Sequence, residues 1–280
     1  MRRSSCWTLP IMVLLSVACH PSIGEGSRAD PGPEEATQVS DSVEAVAQVP
    51  SSLEGDFLYK VVMLRASPGR LPDLIELLKE ERDLLQEASE PLPFWMRHTQ
   101  GDQWDLFILY PMGDFHGYFE PGRVERRLAA GTQKGLSEGQ LRVEADLLTS
   151  WRDEMFVRGP EPDVLESEFG SNSFYHVEMF VALPTRRREL LQERRMENHY
   201  SRLLGRPQNL IFTREAGGPW DSFTLGFYRD LKHFAESADL SLEARERAAV
   251  EAGFQGADQI GSFLRRFILL HRDTLCVAIE

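Results

Sequence analysis

"WDLFILYPMGDFHGYFE" spans Trp104 to Glu120, and "WDSFTLGFYRDLKHFAE" spans Trp220 to Glu236. The two lines share six identities in 17 positions at an offset of 116 residues, where composition predicts roughly one in sixteen. The same offset carries Tyr59, Val61, Met63, Ala66, Pro68, Arg70, Leu74 and Glu81 onto Tyr175, Val177, Met179, Ala182, Pro184, Arg186, Leu190 and Glu197. Pro91 and Gly101 recur as Pro207 and Gly217. Further on, "WRDEMFV" from Trp151 aligns with "HRDTLCV" from His271, the offset having grown to 120. The chain contains a duplicated unit.

Each copy reads as the same series of elements. Alternating apolar runs (Tyr59 to Leu64, Tyr175 to Phe180) predict a strand. Pro68 or Pro184 then leads into a helix, with Leu71, Leu74, Ile75, Leu78 and Leu85 forming one apolar stripe in the first copy. Two strands follow, joined by "TQGDQ" or "EAGGP", whose glycines suit a hairpin. A second helical region and a last strand, "DEMFVR" or "DTLCVAI", complete a βαββαβ order, the ferredoxin-like unit. Helices cover one face of such a sheet, so the other face must find a partner.

In element order, strand-start aromatics and the Trp-Asp hairpins, residues 57 to 280 resemble the dimeric α+β barrel superfamily, most closely its NIPSNAP-like branch. The resemblance implies two units packing their open sheet faces together. A tandem repeat implies that one chain supplies both: an α+β fold of two ferredoxin-like units forming an intramolecular, pseudo-dimeric barrel. The predicted organisation is a signal peptide at 1–19, a tether at 20–56, repeat 1 at 57–158, a linker at 159–172 and repeat 2 at 173–280.

The first 19 residues read as an export signal. Arg2 and Arg3 precede the apolar stretch 9–18, and small residues end it. Ser16-Val17-Ala18 fits ordinary signal cleavage. "LSVAC" also resembles a bacterial lipoprotein box, departing from it at Ser16, and marks Cys19 for lipidation. Residues 20–56 hold no aromatic and are rich in Pro, Gly, Ser, Glu and Asp, which predicts a disordered tether. The expected location is therefore the periplasm or cell envelope, with a freely secreted form as the alternative. Any membrane contact is expected only through the lipid.

Other classes are excluded on composition. The net charge of -13 argues against nucleic-acid binding. The arginines at 186–188, 194 and 195 alternate with Glu189, Glu193 and Glu197, as on a solvated helix face. Of three cysteines, only Cys276 belongs to the folded body, so no disulfide framework is expected and Cys276 reads as a small buried hydrophobe.

Alternation sorts the strand residues into two faces. The apolar sets kept in both copies (Tyr59, Val61, Met63; Tyr175, Val177, Met179) are expected beneath the helices. The opposite set is expected to face the shared interior: Lys60, Val62, Leu64 with Leu106, Ile108, Tyr110 in repeat 1, and His176, Glu178, Phe180 with Ser222, Thr224, Gly226 in repeat 2. Arg272 and Thr274 are placed with the latter. The predicted ligand-binding residues are accordingly His176, Glu178, Ser222, Thr224, Arg272 and Thr274, with His176 as candidate general base and Glu178 as its orienting partner. The recurring Trp104-Asp105 and Trp220-Asp221 pairs read as packing and turn geometry. Glu193, Glu197 and His199 match no strong ligand spacing, and no metal is expected. Three functions follow: binding of a small molecule or partner, a cofactor-free monooxygenase-like enzyme, and, ranked last, a haem protein of the chlorite dismutase type. No cofactor is expected under the first two. A homo-oligomer is left open.

Overall fold

The computed structural model describes residues 51–135 and 137–279; the predicted signal, Cys19 and most of the tether lie outside them. Repeat 1 comprises β1 (Phe57–Ala66), α1 (Leu71–Glu87), β2 (Phe94–Gln100), β3 (Leu106–Gly113), the helices α2 (Phe115–Tyr118), α3 (Pro121–Lys134) and α4 (Glu138–Leu148), and β4 (Thr149–Gly159). Then comes α5 (Pro162–Ser171). Repeat 2 comprises β5 (Phe174–Ala182), α6 (Arg187–Leu203), β6 (Leu210–Gly217), β7 (Ser222–Tyr228), α7 (Leu231–Ala235), α8 (Leu242–Glu251), α9 (Ile260–Leu264) and β8 (Ile268–Val277). No helix among the described residues is long and apolar enough to cross a membrane.

The strands close into one barrel in the order β1-β3-β2-β8-β5-β7-β6-β4. Each repeat contributes four neighbouring antiparallel strands, and the two repeats join at the β2–β8 and β4–β6 seams. The expected pseudo-dimeric architecture is thus the observed one. The recurring glycines belong to these seams. Gly101 has φ +129°, and a Cβ there would run into the Asp273 carbonyl oxygen and the Thr274 Cα on β8. At Gly217, with φ +72°, a Cβ would stand 3.0 Å from the Glu154 carbonyl oxygen on β4. Only glycine combines that backbone with that approach.

The recurring aspartates have a structural role in both copies. Asp105 Oδ2 accepts from Ala66 N at 2.8 Å, and Asp221 Oδ2 accepts from Ala182 N at 2.9 Å. Both amides sit where the register of β1–β4 or β5–β8 slips by a bulge. A bulge leaves the ladder locally disrupted, and the hairpin aspartate supplies the acceptor. The turn-geometry reading of the Trp-Asp pairs holds.

The face assignment is reversed. Tyr59, Val61, Met63, Tyr175, Val177 and Met179 share one buried cluster with Phe107, Phe212, Phe223 and Cys276 from both repeats, which is the barrel interior. Val62, Leu64, Leu106, Ile108 and Tyr110 pack instead against Leu74, Leu78 and Leu85 of α1 and Leu141 of α4. The residues kept apolar by duplication are those that the two copies bury against each other, a demand at least as strict as helix packing. Large side chains fill the interior, Phe212 stacking on Phe223 at 4.5 Å.

The expected 159–172 linker is also more than a connection. Leu165 of α5 is fully buried in the interior cluster. Phe169 stacks on Phe94 at 5.2 Å and meets Tyr175 at 4.9 Å, so α5 covers one end of the barrel. The opposite end carries a mouth of about 410 Å³ among Trp104, Trp151, Trp220, Asp153 and Arg272. The ordered body begins before residue 57 as well: Arg195 of α6 holds Glu54 through two bonds of 2.7 Å.

Candidate functional site

His176 and Glu178 project from β5 on the outer side of the barrel, under α6. Opposite them in the ladders stand Gly226 and Thr224 on β7, and Leu275 and Asp273 on β8. Directly opposed residues share a face. Phe180, Ser222 and His271 extend the same surface, since Phe180 pairs with both Ser222 and His271.

Arg272 and Thr274 therefore lie on the other face, a correction to their expected grouping. Thr274 is fully buried in the barrel, its Oγ1 accepting from Asp102 N at 3.2 Å. Arg272 lines the barrel mouth. The reason is register. The alignment of "WRDEMFV" with "HRDTLCV" gives an offset of 120, but Leu64 pairs with Arg152 and its counterpart Phe180 pairs with His271, an offset of 119. A one-residue slip moves every side chain to the opposite face. Asp273, not Arg272, joins the site, and the repeat-1 counterpart of His271 is Arg152, not Trp151.

Glu178 sits at the centre. Its Oε2 accepts from Thr224 Oγ1 at 2.8 Å and from Asn209 Nδ2 at 3.2 Å. Asn209 is itself clamped: its amide donates to Asn198 Oδ1 and its carbonyl accepts from Asn198 Nδ2, both at 2.8 Å, tying β6 to α6. Gly226 makes this arrangement sterically feasible, because a Cβ there would stand 2.6 Å from Asn209 Oδ1. Ser222 Oγ is buried and has no hydrogen-bond partner among the described residues.

The fully buried Glu193 and the nearly buried Arg194 of α6 come down onto this surface. The Arg194 guanidinium meets Glu193 Oε2 at 2.6 Å, Glu197 Oε2 at 2.7 Å and Glu178 Oε1 at 3.4 Å, and lies 4.7 Å from the Phe180 ring. Phe180 in turn stacks on the His271 imidazole at 4.6 Å. Burial alone would raise the Glu178 carboxyl, but His271, Arg194, His176 and Thr224 together hold it well below the usual carboxylate range. Burial dominates for Glu193, whose carboxyl is pushed up to about 7, and it raises Glu197 too.

His176 does not bond Glu178. Its Nε2 lies 3.2 Å from Asp273 Oδ1, while Phe234 of α7 packs edge-on against the ring at 5.4 Å. Burial opposes its charged form, yet the bond to Asp273 and the Glu178 charge outweigh that and raise its pKa above the ordinary imidazole value. The carboxylate that contacts the His176 ring is thus Asp273 and not the expected Glu178.

Sequence reading missed Asn209, Arg194 and Asp273. Arg194 was hidden in a run that looked like a solvated face; its buried phase on α6, one turn from Leu190, was the available signal. His199 lies apart from the Glu178 cluster.

The equivalent face of repeat 1 is different in kind. Lys60, Val62, Ile108 and Tyr110 replace His176, Glu178, Thr224 and Gly226. Tyr110 donates to Glu81 Oε2 at 2.7 Å, and Lys60 Nζ sits 4.6 Å over the Tyr110 ring. What remains is a cleft of about 290 Å³ whose polar lining includes Lys60, Glu81, Arg142 and Arg152.

No family model matches the sequence, and no curated protein matches it. Among solved structures, the chain is similar to an anthrone oxidase-like protein, with 11% identity over 82% of this chain and 94% of that one, at a TM-score of 0.50. It is also similar to a candidate monooxygenase of Fusobacterium nucleatum (10% identity, 81% and 94% covered, TM-score 0.49). A mutant chlorite dismutase of Candidatus Nitrospira defluvii follows (13% identity, 82% and 95% covered, TM-score 0.41). At these identities the likeness is one of fold alone, an α+β fold whose strands close into a barrel within one chain.

Proposed function

We propose that this is an exported, NIPSNAP-like barrel protein that binds a small molecule on the helix-covered outer face of its second repeat. The observation that supports the reading is the asymmetry between duplicated faces. Tyr110 stands at the position in repeat 1 where Gly226 in repeat 2 admits the Asn209 side chain beside Glu178, and ionisable groups of repeat 2 converge where repeat 1 places Val62 and Ile108. A few oriented polar groups in a largely apolar setting are what small-molecule sites contain. The pattern of residues 1–19 supports export to the periplasm or envelope.

A second reading rests on the 3.2 Å contact between His176 and Asp273. An imidazole held by a carboxylate is a competent proton acceptor near neutral pH, so the site would serve a cofactor-free, monooxygenase-like enzyme.

Native mass spectrometry and an absorption spectrum, taken on protein gently purified from its native envelope, test the binding reading. A retained small-molecule mass is expected, lost in His176→Ala and kept in Lys60→Ala. Equal behaviour of the two variants overturns the asymmetry argument. A Soret band would replace this reading with a haem protein.

A further inference from the structure

His176, Glu178 and Asp273 each bring one ligand atom within 4.8 Å of the others. His176 Nε2 stands 3.2 Å from Asp273 Oδ1. His271 Nε2 stands 3.4 Å from that same oxygen and 3.6 Å from Glu178 Oε1. Tetrahedral ligands at about 2.1 Å from a metal stand about 3.4 Å from one another. We propose that His176, Glu178 and Asp273, with His271 beside the two carboxylates, form a site for a first-row divalent transition cation of the zinc type.

Three independent features support the site. His271 Nε2 is buried and lacks a hydrogen-bond partner among the described residues, although it lies between two carboxylates. An unsatisfied buried nitrogen is costly, and a metal bond would satisfy it. The acidic surroundings also favour a cation: Glu178, Glu193 and Glu197 share one guanidinium, that of Arg194, and among the described residues Asp273 has only the two imidazoles beside it. Finally, the supporting shell is built. Thr224 and Asn209 fix Glu178 through Oε2, which leaves Oε1 between Arg194 and His271. Two imidazoles beside two carboxylates favour a transition metal over magnesium or calcium. The Asp273 side chain is 56% exposed, which gives the cation a way in.

Repeat 1 supplies an internal control. Lys60, Val62, Arg152 and Glu154 occupy the matching positions, a set with one carboxylate and two cations. The sequence reading set aside Glu193, Glu197 and His199 on α6 and expected no metal; the proposed ligands come from β5 and β8. This inference rests on the second repeat's outer face being the binding site, and it replaces the general-base role of His176, since a metal-bound imidazole nitrogen accepts no proton.

Calorimetric titration of EDTA-treated full-length protein with zinc chloride tests it, together with the visible spectrum of the cobalt(II)-loaded form. One equivalent of zinc should bind. Affinity should fall about tenfold or more in Asp273→Asn and His271→Ala and stay unchanged in Lys60→Ala. The cobalt form should show intense tetrahedral bands that vanish in Asp273→Asn, a signature a merely structural role would not produce. No stoichiometric zinc binding, or equal affinity in all variants, overturns the proposal. Small-molecule retention by EDTA-treated protein that takes up no zinc refutes the cation and spares the binding reading. Zinc uptake without any retained molecule does the reverse.

Discussion

His176 and Asp273 meet diagonally across β5 and β8. The register pairs His176 with Leu275 and Glu178 with Asp273, yet the imidazole reaches the carboxylate two residues along. Diagonal neighbours on one face lie within reach of long side chains. The contact exists because of strand register, not because of any local motif.

That register makes a test with adjacent residues. Asp273→Asn should impair small-molecule retention, whereas Arg272→Ala should leave it unchanged, because Arg272 lines the barrel mouth on the other face. Native mass spectrometry of the two variants decides. Impairment by Arg272→Ala alone would restore the 120-residue alignment.

Glu193 should make stability depend on pH. Its carboxyl is raised by burial from 4.5 to about 7, so between those values the folded protein holds a proton that the unfolded chain has lost. Stability therefore falls as pH rises through that window and levels off above it. Glu193→Gln should flatten the fall, raising Tm at about pH 8 and changing it little at about pH 4. Thermal melts across the range would show it, and an unchanged slope would locate the pH dependence elsewhere.

The two hairpin aspartates should behave alike. Asp105→Ala and Asp221→Ala each leave a bulge amide without its acceptor, at a cost of about 1–3 kcal/mol. Asparagine at either position keeps a side-chain oxygen and should cost less. Urea denaturation reads both. A loss confined to one repeat would show that the two bulges are not equivalent.

Leu165 tests whether α5 belongs to the core. Leu165→Ala removes a fully buried side chain from the interior cluster and should cost about 2–5 kcal/mol. A change near zero in the same denaturation assay would return residues 159–172 to the status of a linker.

Gly226 tests the space around Glu178. A methyl group there meets Asn209 Oδ1 at 2.6 Å, so Gly226→Ala should displace Asn209 and weaken retention of the small molecule, with a stability cost of about 1–3 kcal/mol. Tyr110→Ala, at the matching position of repeat 1, should leave retention unchanged.

By itself, the sequence determined the duplication, the βαββαβ order and the concentration of polar chemistry on one face of repeat 2, while the pseudo-dimeric barrel was what its resemblance to the dimeric α+β barrels implied. Those features are written in recurring residues and in periodicity, which survive without three-dimensional context. Tertiary structure alone decided which way each face turns. Alternation separates two faces of a strand, but both are buried here, one against the other repeat and one beneath helices. Hydrophobicity therefore could not say that Tyr59 and Tyr175 point inward while His176 and Glu178 point out.

The assembly of the site was hidden for a related reason. Asp273 and His271 come from β8, Asn209 from just before β6 and Arg194 from α6, all distant from His176 in sequence. A single residue of length difference before β8 decides whether Arg272 or Asp273 faces Glu178. Identity between "WRDEMFV" and "HRDTLCV" favoured one alignment; the hydrogen-bonded ladder, in which a one-residue slip would turn Cys276 and Thr274 out of the core, fixed the other.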